Sequence, residues 1–175
     1  VPWKGQKILI QAAHLLLQRS KKMVFLIVGN AAGEDELYKG DLENECSKLR
    51  IEANVIFGGF VDRIEEYLSV MDIVVHCSLR PEAFGLSIAE AMAMGKVVIA
   101  SERGATREII THGENGLIVP AGDPYALADM VTTVMHNCSF RKSLQQKARV
   151  TIEEKFSIHA HAEEITELYE TIERS

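Results

Sequence analysis

The period of apolar and polar positions changes repeatedly along this chain. Residues 6–19 repeat apolar side chains at helical spacing, with Ile8, Ala12, Leu15 and Leu16 on one side. Residues 23–28 form a short apolar run closed by Gly29, the pattern of a buried strand. A charged helix is predicted over 35–49, weakened by Gly40. A strand over 55–57 closes at Gly58-Gly59, and a short helix over 63–70 leads to a strand over 73–76. Next come a helix over 86–94 ending at Gly95, a strand over 97–100, a short helix over 106–110 and a turn over 112–116. A brief strand over 117–119 precedes Asp123, an N-cap residue with Pro124 at the first helical position, opening a helix to about 136. Helices over 140–156 and 159–173 follow, the last with Ile165, Leu168 and Ile172 expected to pack inward.

Strands spaced by helices imply parallel βαβ units with right-handed crossovers. There is no repeat of the whole unit, no low-complexity tract and no linker, so residues 1–175 read as one α/β domain. Trp3-Lys4-Gly5 runs straight into a helix, whereas a βαβ fold normally opens on a strand. The pattern therefore predicts that a first strand is missing from this segment.

Composition narrows the function. Asp and Glu number 25 against 19 Lys and Arg, a formal net charge of −6, which argues against a nucleic-acid partner that would need a basic face. Cys46, Cys77 and Cys138 are odd in number and form no C-x-x-C pair, so they read as reduced core thiols of a cytoplasmic protein. No apolar run approaches the roughly 18 residues needed to span a bilayer, and no signal peptide is present in this segment.

Two common phosphate motifs are absent. Gly29-Asn-Ala-Ala-Gly33 has the wrong spacing for G-x-G-x-x-G, and Gly95-Lys96 is followed by Val97, so it is no P-loop. The chemistry concentrates instead between the strands at 73–76 and 97–100. Glu82 and Glu90 flank a loop-to-helix junction containing Pro81 and Gly85, with seven residues between them. Carboxylates bind sugar hydroxyls, and a helix N-terminus at the carboxyl edge of a parallel sheet binds phosphate. Glu82 lies in a tightly turning apolar context. Glu90 has a plain alternative, since Ser87-Ile-Ala-Glu90 spells a capping box. A pair of glycosidase carboxylates is a competing idea, which gives the helix end no role. His76 reads as a packed strand-end histidine, His159 and His161 as a poor metal pair, and Arg63, Arg80 and Arg103 as loop charges able to line the crevice.

These segments resemble the retaining GT-B glycosyltransferases of family 4 (group 1). Glu82 through Glu90 is similar to the family's E-x7-E signature, and Ala91-Met-Ala-Met-Gly95 to the helix that follows. Lys4-Gly5 resembles its K-G turn, Leu26-Ile-Val-Gly29 its second strand, and Phe57-Gly-Gly-Phe-Val61 its F-x-G-x-V segment. The 113–124 segment resembles its closing G-x-x-G-x-L-V-x-x-x-D-P pattern. The motifs run in family order over roughly the first 130 residues. The resemblance implies a Rossmann-like three-layer parallel sheet flanked by helices, the C-terminal, donor-binding half of a GT-B fold without its first strand. It implies that Lys4 neutralises the donor diphosphate and that Glu82 binds the transferred hexose. Backbone amides at Phe84, Gly85 and Leu86 would hold sugar hydroxyls or the distal phosphate. Glu90 would grip the ribose while Ser87 caps its helix, Gly59, Phe60 and Val61 would border the base, and Asn30 would lie near the nucleotide. The donor would be a UDP, GDP or ADP sugar, with no metal or other cofactor.

The resemblance is incomplete. The family's G-R arginine would fall before Val1, and the acceptor-binding half lies outside this segment. An acceptor glycan, lipid carrier or small metabolite would bind there, together with any attachment to the inner face of the membrane. The helix at 157–175 would pack against that half, and the isolated chain is expected to be inactive. A non-catalytic nucleotide-sugar-binding module, or another GT-B enzyme such as a phosphorylase or a nucleotide-sugar epimerase, remains open on these residues.

Overall fold

The computed structural model describes residues 1–29 and 35–173. Among these residues, five strands alternate with eight α-helices: α1 (Gln6–Arg19), β1 (Phe25–Val28), α2 (Asp35–Leu49), β2 (Val55–Gly59), α3 (Ile64–Val70), β3 (Ile73–His76), α4 (Leu86–Ala93), β4 (Val97–Ser101), α5 (Thr106–Ile109), β5 (Leu117–Val119), α6 (Pro124–His136), α7 (Cys138–Lys155) and α8 (Ile158–Glu173). A single 3-10 turn, Pro2–Lys4, precedes α1, and another, Glu52–Asn54, precedes β2.

Every strand pairing is parallel. In β4 the alternation of a pleated strand sends Val97 and Ile99 to one face and Val98 and Ala100 to the other. The first pair packs with Ala12 and Leu16 of α1 and with Leu127, Val131 and Val134 of α6. The second packs with Ile88 and Met92 of α4 and Ala148 of α7. Both faces of β4 are thus covered, and all five of its residues are buried, as a central parallel strand requires. A third cluster joins Ile10, Ala13 and Leu17 of α1 to Leu42 and Cys46 of α2 and to Val55. The result is the expected three-layer α/β arrangement.

The strands do not form one continuous sheet. β1 pairs with β2, β3 pairs with β4 and β4 with β5, leaving a two-stranded and a three-stranded sheet. β1 and β3 instead line a common cavity of about 770 Å³, with Leu9 and Leu16 of α1, Leu68 of α3 and Leu127 of α6 among its walls. Parallel strands bond only at about 4.8 Å separation, and here a slot stands between them. That is why β1 and β3, expected to be buried, are only half-buried along their whole length.

Other boundaries move for local reasons. Asp123 caps α6 as expected, accepting from Tyr125 N at 2.9 Å and Ala126 N at 3.0 Å. Asn137 provides the cap that sequence reading overlooked, accepting from Phe140 N at 3.0 Å, so α7 begins at Cys138. Cys46 and Cys77 are buried thiols, but Cys138, on that exposed first turn, is not a core residue. On α8 the inward packing fails: Ile165, Leu168 and Ile172 are 41%, 59% and 61% exposed, on a helix that packs beside α7.

Candidate active site

The 3-10 turn before α1 lies against the loop that follows β3. Trp3 O accepts from Leu79 N at 2.7 Å, which ties that turn to the loop after β3. Gly5 makes the approach possible. Its φ is +73°, and a Cβ there would run into the carbonyl of Cys77. Lys4 is thereby carried across the end of β3, where its Nζ meets Glu82 Oε1 at 2.9 Å. The ammonium also lies 4.5 Å from the centroid of the Trp3 ring, a cation–π contact that restricts it further.

Glu82 is held on its backbone as firmly as on its side chain. Ala105 N donates to its carbonyl at 3.3 Å. A Cβ on Gly104 would stand 2.6 Å from its nitrogen, so the loop after β4 lies directly against it. Three donors converge on Oε1: Lys4 Nζ at 2.9 Å, His76 Nε2 at 2.9 Å and the Ser78 hydroxyl in a short hydrogen bond. Burial pushes the Glu82 pKa up, but the hydrogen bonds from Lys4 and Ser78, with the electrostatic influence of the His76 imidazole and the charge of Lys4, outweigh it and hold the carboxyl below its ordinary value. For His76 burial dominates and lowers the pKa, the Glu82 carboxylate pulls the other way, and Lys4 adds to the lowering. Sequence reading treated His76 as packing and passed over Ser78. The short H-x-S spacing at the end of a strand, four residues before an acid, was the available signal.

Next to this cluster α4 begins without a side-chain cap. Its N-cap is Gly85, at φ +90°, where a Cβ would press on Ile88. Ser87 is therefore not the cap, and the proposed capping box with Glu90 does not form. The reason is positional: Gly85 starts the helix two residues early, which puts Ser87 inside the first turn. Leu86 and Ser87 are exposed, and their amides are orphans of that turn, open to an anion. Glu90, one turn further on, lines the slot with Ser87, and its carboxylate makes no hydrogen bond or ion pair with the described residues. Phe84 is 41% exposed and meets Phe156 edge-on with ring centroids 5.7 Å apart.

Gly59 ends β2 at φ +67°, and its carbonyl accepts from Gly29 N at 2.8 Å. It lines a smaller cavity of about 90 Å³ with Gln6, Gly29 and Tyr38. Phe60 beside it is 71% exposed and Val61 is half-buried. Asn30 lies outside the described residues. The structure thus brings Lys4 and Glu82 into contact, sets Gly85, Leu86, Ser87 and Glu90 on the adjoining helix end, and leaves Gly59, Phe60 and Val61 at the end of β2. Arg63 is drawn into pairs with Glu65 at 3.1 Å and Glu66 at 2.9 Å, so it contributes little free charge to the crevice. Among the described residues, no group of three His, Cys, Asp or Glu side chains is placed to hold a metal ion.

Comparison with known proteins bears on the family and the fold. The profile of the family described as Glycosyl transferases group 1 matches residues 1–151. The chain is 33% identical over 124 residues to N-acetyl-alpha-D-glucosaminyl L-malate synthase of Bacillus anthracis, covering 71% of the chain and 31% of that protein. It is 29% identical over 176 residues to phosphatidyl-myo-inositol mannosyltransferase of Mycobacterium leprae, covering 99% of the chain and 45% of that protein. The crystal structure of Anabaena Alr3699/HepE in complex with UDP superposes with a TM-score of 0.92 at 30% identity, over 98% of this chain and 46% of that one. The C-terminal domain of the group 1 family protein LpcC from Francisella tularensis superposes at 0.83 with 30% identity, over 90% of this chain and 82% of that domain. Except against that isolated domain, the chain spans less than half the length of these proteins. With its parallel α/β fold and a profile match that covers most of its length, this chain belongs to the group 1 glycosyl transferases.

Proposed function

We propose that this chain is the donor-binding domain of a retaining GT-B glycosyltransferase of family 4, which transfers a hexose from a nucleoside diphosphate sugar. The observation that carries the reading is the pairing of Lys4 with Glu82, 2.9 Å apart, beside the uncapped start of α4. A cation and free helix amides suit a diphosphate, and a fixed carboxylate suits sugar hydroxyls. In the reaction the bond from the anomeric carbon to the phosphate oxygen breaks, and its electron pair leaves with the diphosphate. Negative charge therefore grows on the phosphate as the bond lengthens. Lys4 and the amides of Leu86 and Ser87 meet that charge more strongly in the transition state than before it, which is the source of rate acceleration. Glu82 binds the sugar, Glu90 the ribose, and Gly59, Phe60 and Val61 border the base. This assignment of roles requires no metal.

The acceptor belongs to another part of the protein in this reading, on the cytoplasmic side of the membrane. The names of the relatives, from an N-acetyl-alpha-D-glucosaminyl L-malate synthase to a phosphatidyl-myo-inositol mannosyltransferase, support an acceptor that this domain does not dictate. Structures of HepE with UDP and with UDP-glucose favour a uridine donor among the three candidates. Calorimetric titration of the chain with UDP, GDP and ADP tests the proposal. One of the three should bind, with UDP expected; a folded chain that binds none would overturn it.

A further inference from the structure

Three groups converge on one oxygen of Glu82, and the function above uses only one of them. Lys4 is the accessible member, with 38% of its side chain exposed, whereas the His76 side chain is 11% exposed and Ser78 is buried. The proton on His76 can be placed. Ionised Glu82 only accepts hydrogen bonds, so Nε2, 2.9 Å from Oε1, must carry the hydrogen. Nδ1 is buried and has no hydrogen-bond partner among the described residues, so protonating it would strand a second N–H away from water. His76 is therefore a neutral donor of one tautomer, anchored at the last position of β3. The charged and polar groups that face it are Glu82, Ser78 and, through Glu82, Lys4.

This matters once a diphosphate arrives. Lys4 cannot give its full charge both to phosphate and to Glu82. His76 and Ser78 belong to the wall and keep hold of Oε1 whatever Lys4 does. Because all three donors use Oε1, the other oxygen, Oε2, is left for a ligand.

We propose that His76 is a positioning residue: its Nε2–H fixes Glu82 by Oε1 and so presents Oε2 to a hydroxyl of the donor sugar while Lys4 is shared with the diphosphate. The proposal rests on the reading of Glu82 as the sugar contact, and its test separates the two.

UDP and UDP-glucose are titrated into the wild-type chain and into His76→Phe, His76→Gln and Glu82→Gln, and the Glu82 carboxyl is titrated by 13C NMR without ligand. His76→Phe should weaken UDP-glucose by about tenfold, the size of one charge-assisted hydrogen bond, and leave UDP within about twofold. It should also raise the Glu82 pKa. His76→Gln, which returns an N–H near the Nε2 position, should restore most of both. Equal loss of UDP and UDP-glucose in His76→Phe, no recovery in His76→Gln, or an unmoved Glu82 titration would each overturn the proposal and leave His76 as packing. If Glu82→Gln leaves the preference for UDP-glucose over UDP untouched, the sugar role of Glu82 falls and the proposal falls with it. If Glu82→Gln abolishes that preference and His76→Phe does not, the proposal alone fails.

Discussion

Glu82 and Glu90 stand on the same loop-to-helix junction, yet their surroundings differ in kind. Glu82 sits where three segments converge: the turn before α1, the end of β3 and the loop after β4. Its Oε1 is filled by protein donors and its backbone is clamped by Gly104 and Ala105. Glu90 projects from a helix into the slot with no side-chain partner among the described residues. The first carboxylate is part of the fold as well as of the proposed site; the second has no such part in the fold. A group that the protein has already oriented loses little on binding, whereas one left open has its hydrogen bonds still to make. The difference predicts that damage near Glu82 reaches stability, while damage at Glu90 reaches only the ligand.

The largest effect should come from the backbone approaches that build the Glu82 side. Gly5→Ala and Gly104→Ala each add a clash with another segment's backbone to a positive φ. Each should lose about 3 kcal/mol or more in urea unfolding. Gly59→Ala, with φ +67° but open space around the added carbon, should lose only about 1 kcal/mol. Equal losses at Gly104 and Gly59 would mean that the contact with Glu82 is not tight.

Glu82→Ala comes next. It leaves the His76 N–H and the buried Ser78 hydroxyl without their acceptor, at a cost of about 1–3 kcal/mol. Glu90→Ala should change stability by less than about 0.5 kcal/mol, since no bond is lost. Matching urea midpoints for the two variants would erase the contrast.

The smallest effect is one of pH. The folded pKa of His76 is lowered, so its contribution to stability is complete above its unfolded pKa of about 6.5 and declines as pH falls through that value toward the folded one. Glu82 is also lowered, so its contribution is complete above about 4.3 and is lost at still lower pH. Urea midpoints measured from pH 7.5 to 5 should therefore fall in the wild type and fall less in His76→Phe.

The same contrast explains what could be read from the chain. Alternation of apolar runs with helical spacing marked the strands and most helix ends, because local periodicity and caps such as Asp123 determine them. Motif resemblance singled out Lys4, Glu82 and Glu90, and the structure brings the first two into contact. His76 and Ser78 were not, since their role depends on the end of β3 meeting a loop acid, and a strand-end histidine looks the same whether it packs or donates. The capping box misled because S-x-x-E says nothing about a glycine two residues earlier. The split sheet was not legible, because it depends on how far β1 and β3 stand apart. The exposed stripe of α8 was misjudged because an amphipathic pattern reveals a face without naming what covers it.

The most direct test of the donor-site account is calorimetric titration of UDP into the wild-type chain, Lys4→Ala and Glu90→Ala, with folding checked by circular dichroism. The account predicts saturable binding by the wild type, weakened about tenfold or more by each substitution, with both variants still folded. Binding that neither substitution weakens would contradict the placement of the diphosphate at Lys4 and the ribose at Glu90.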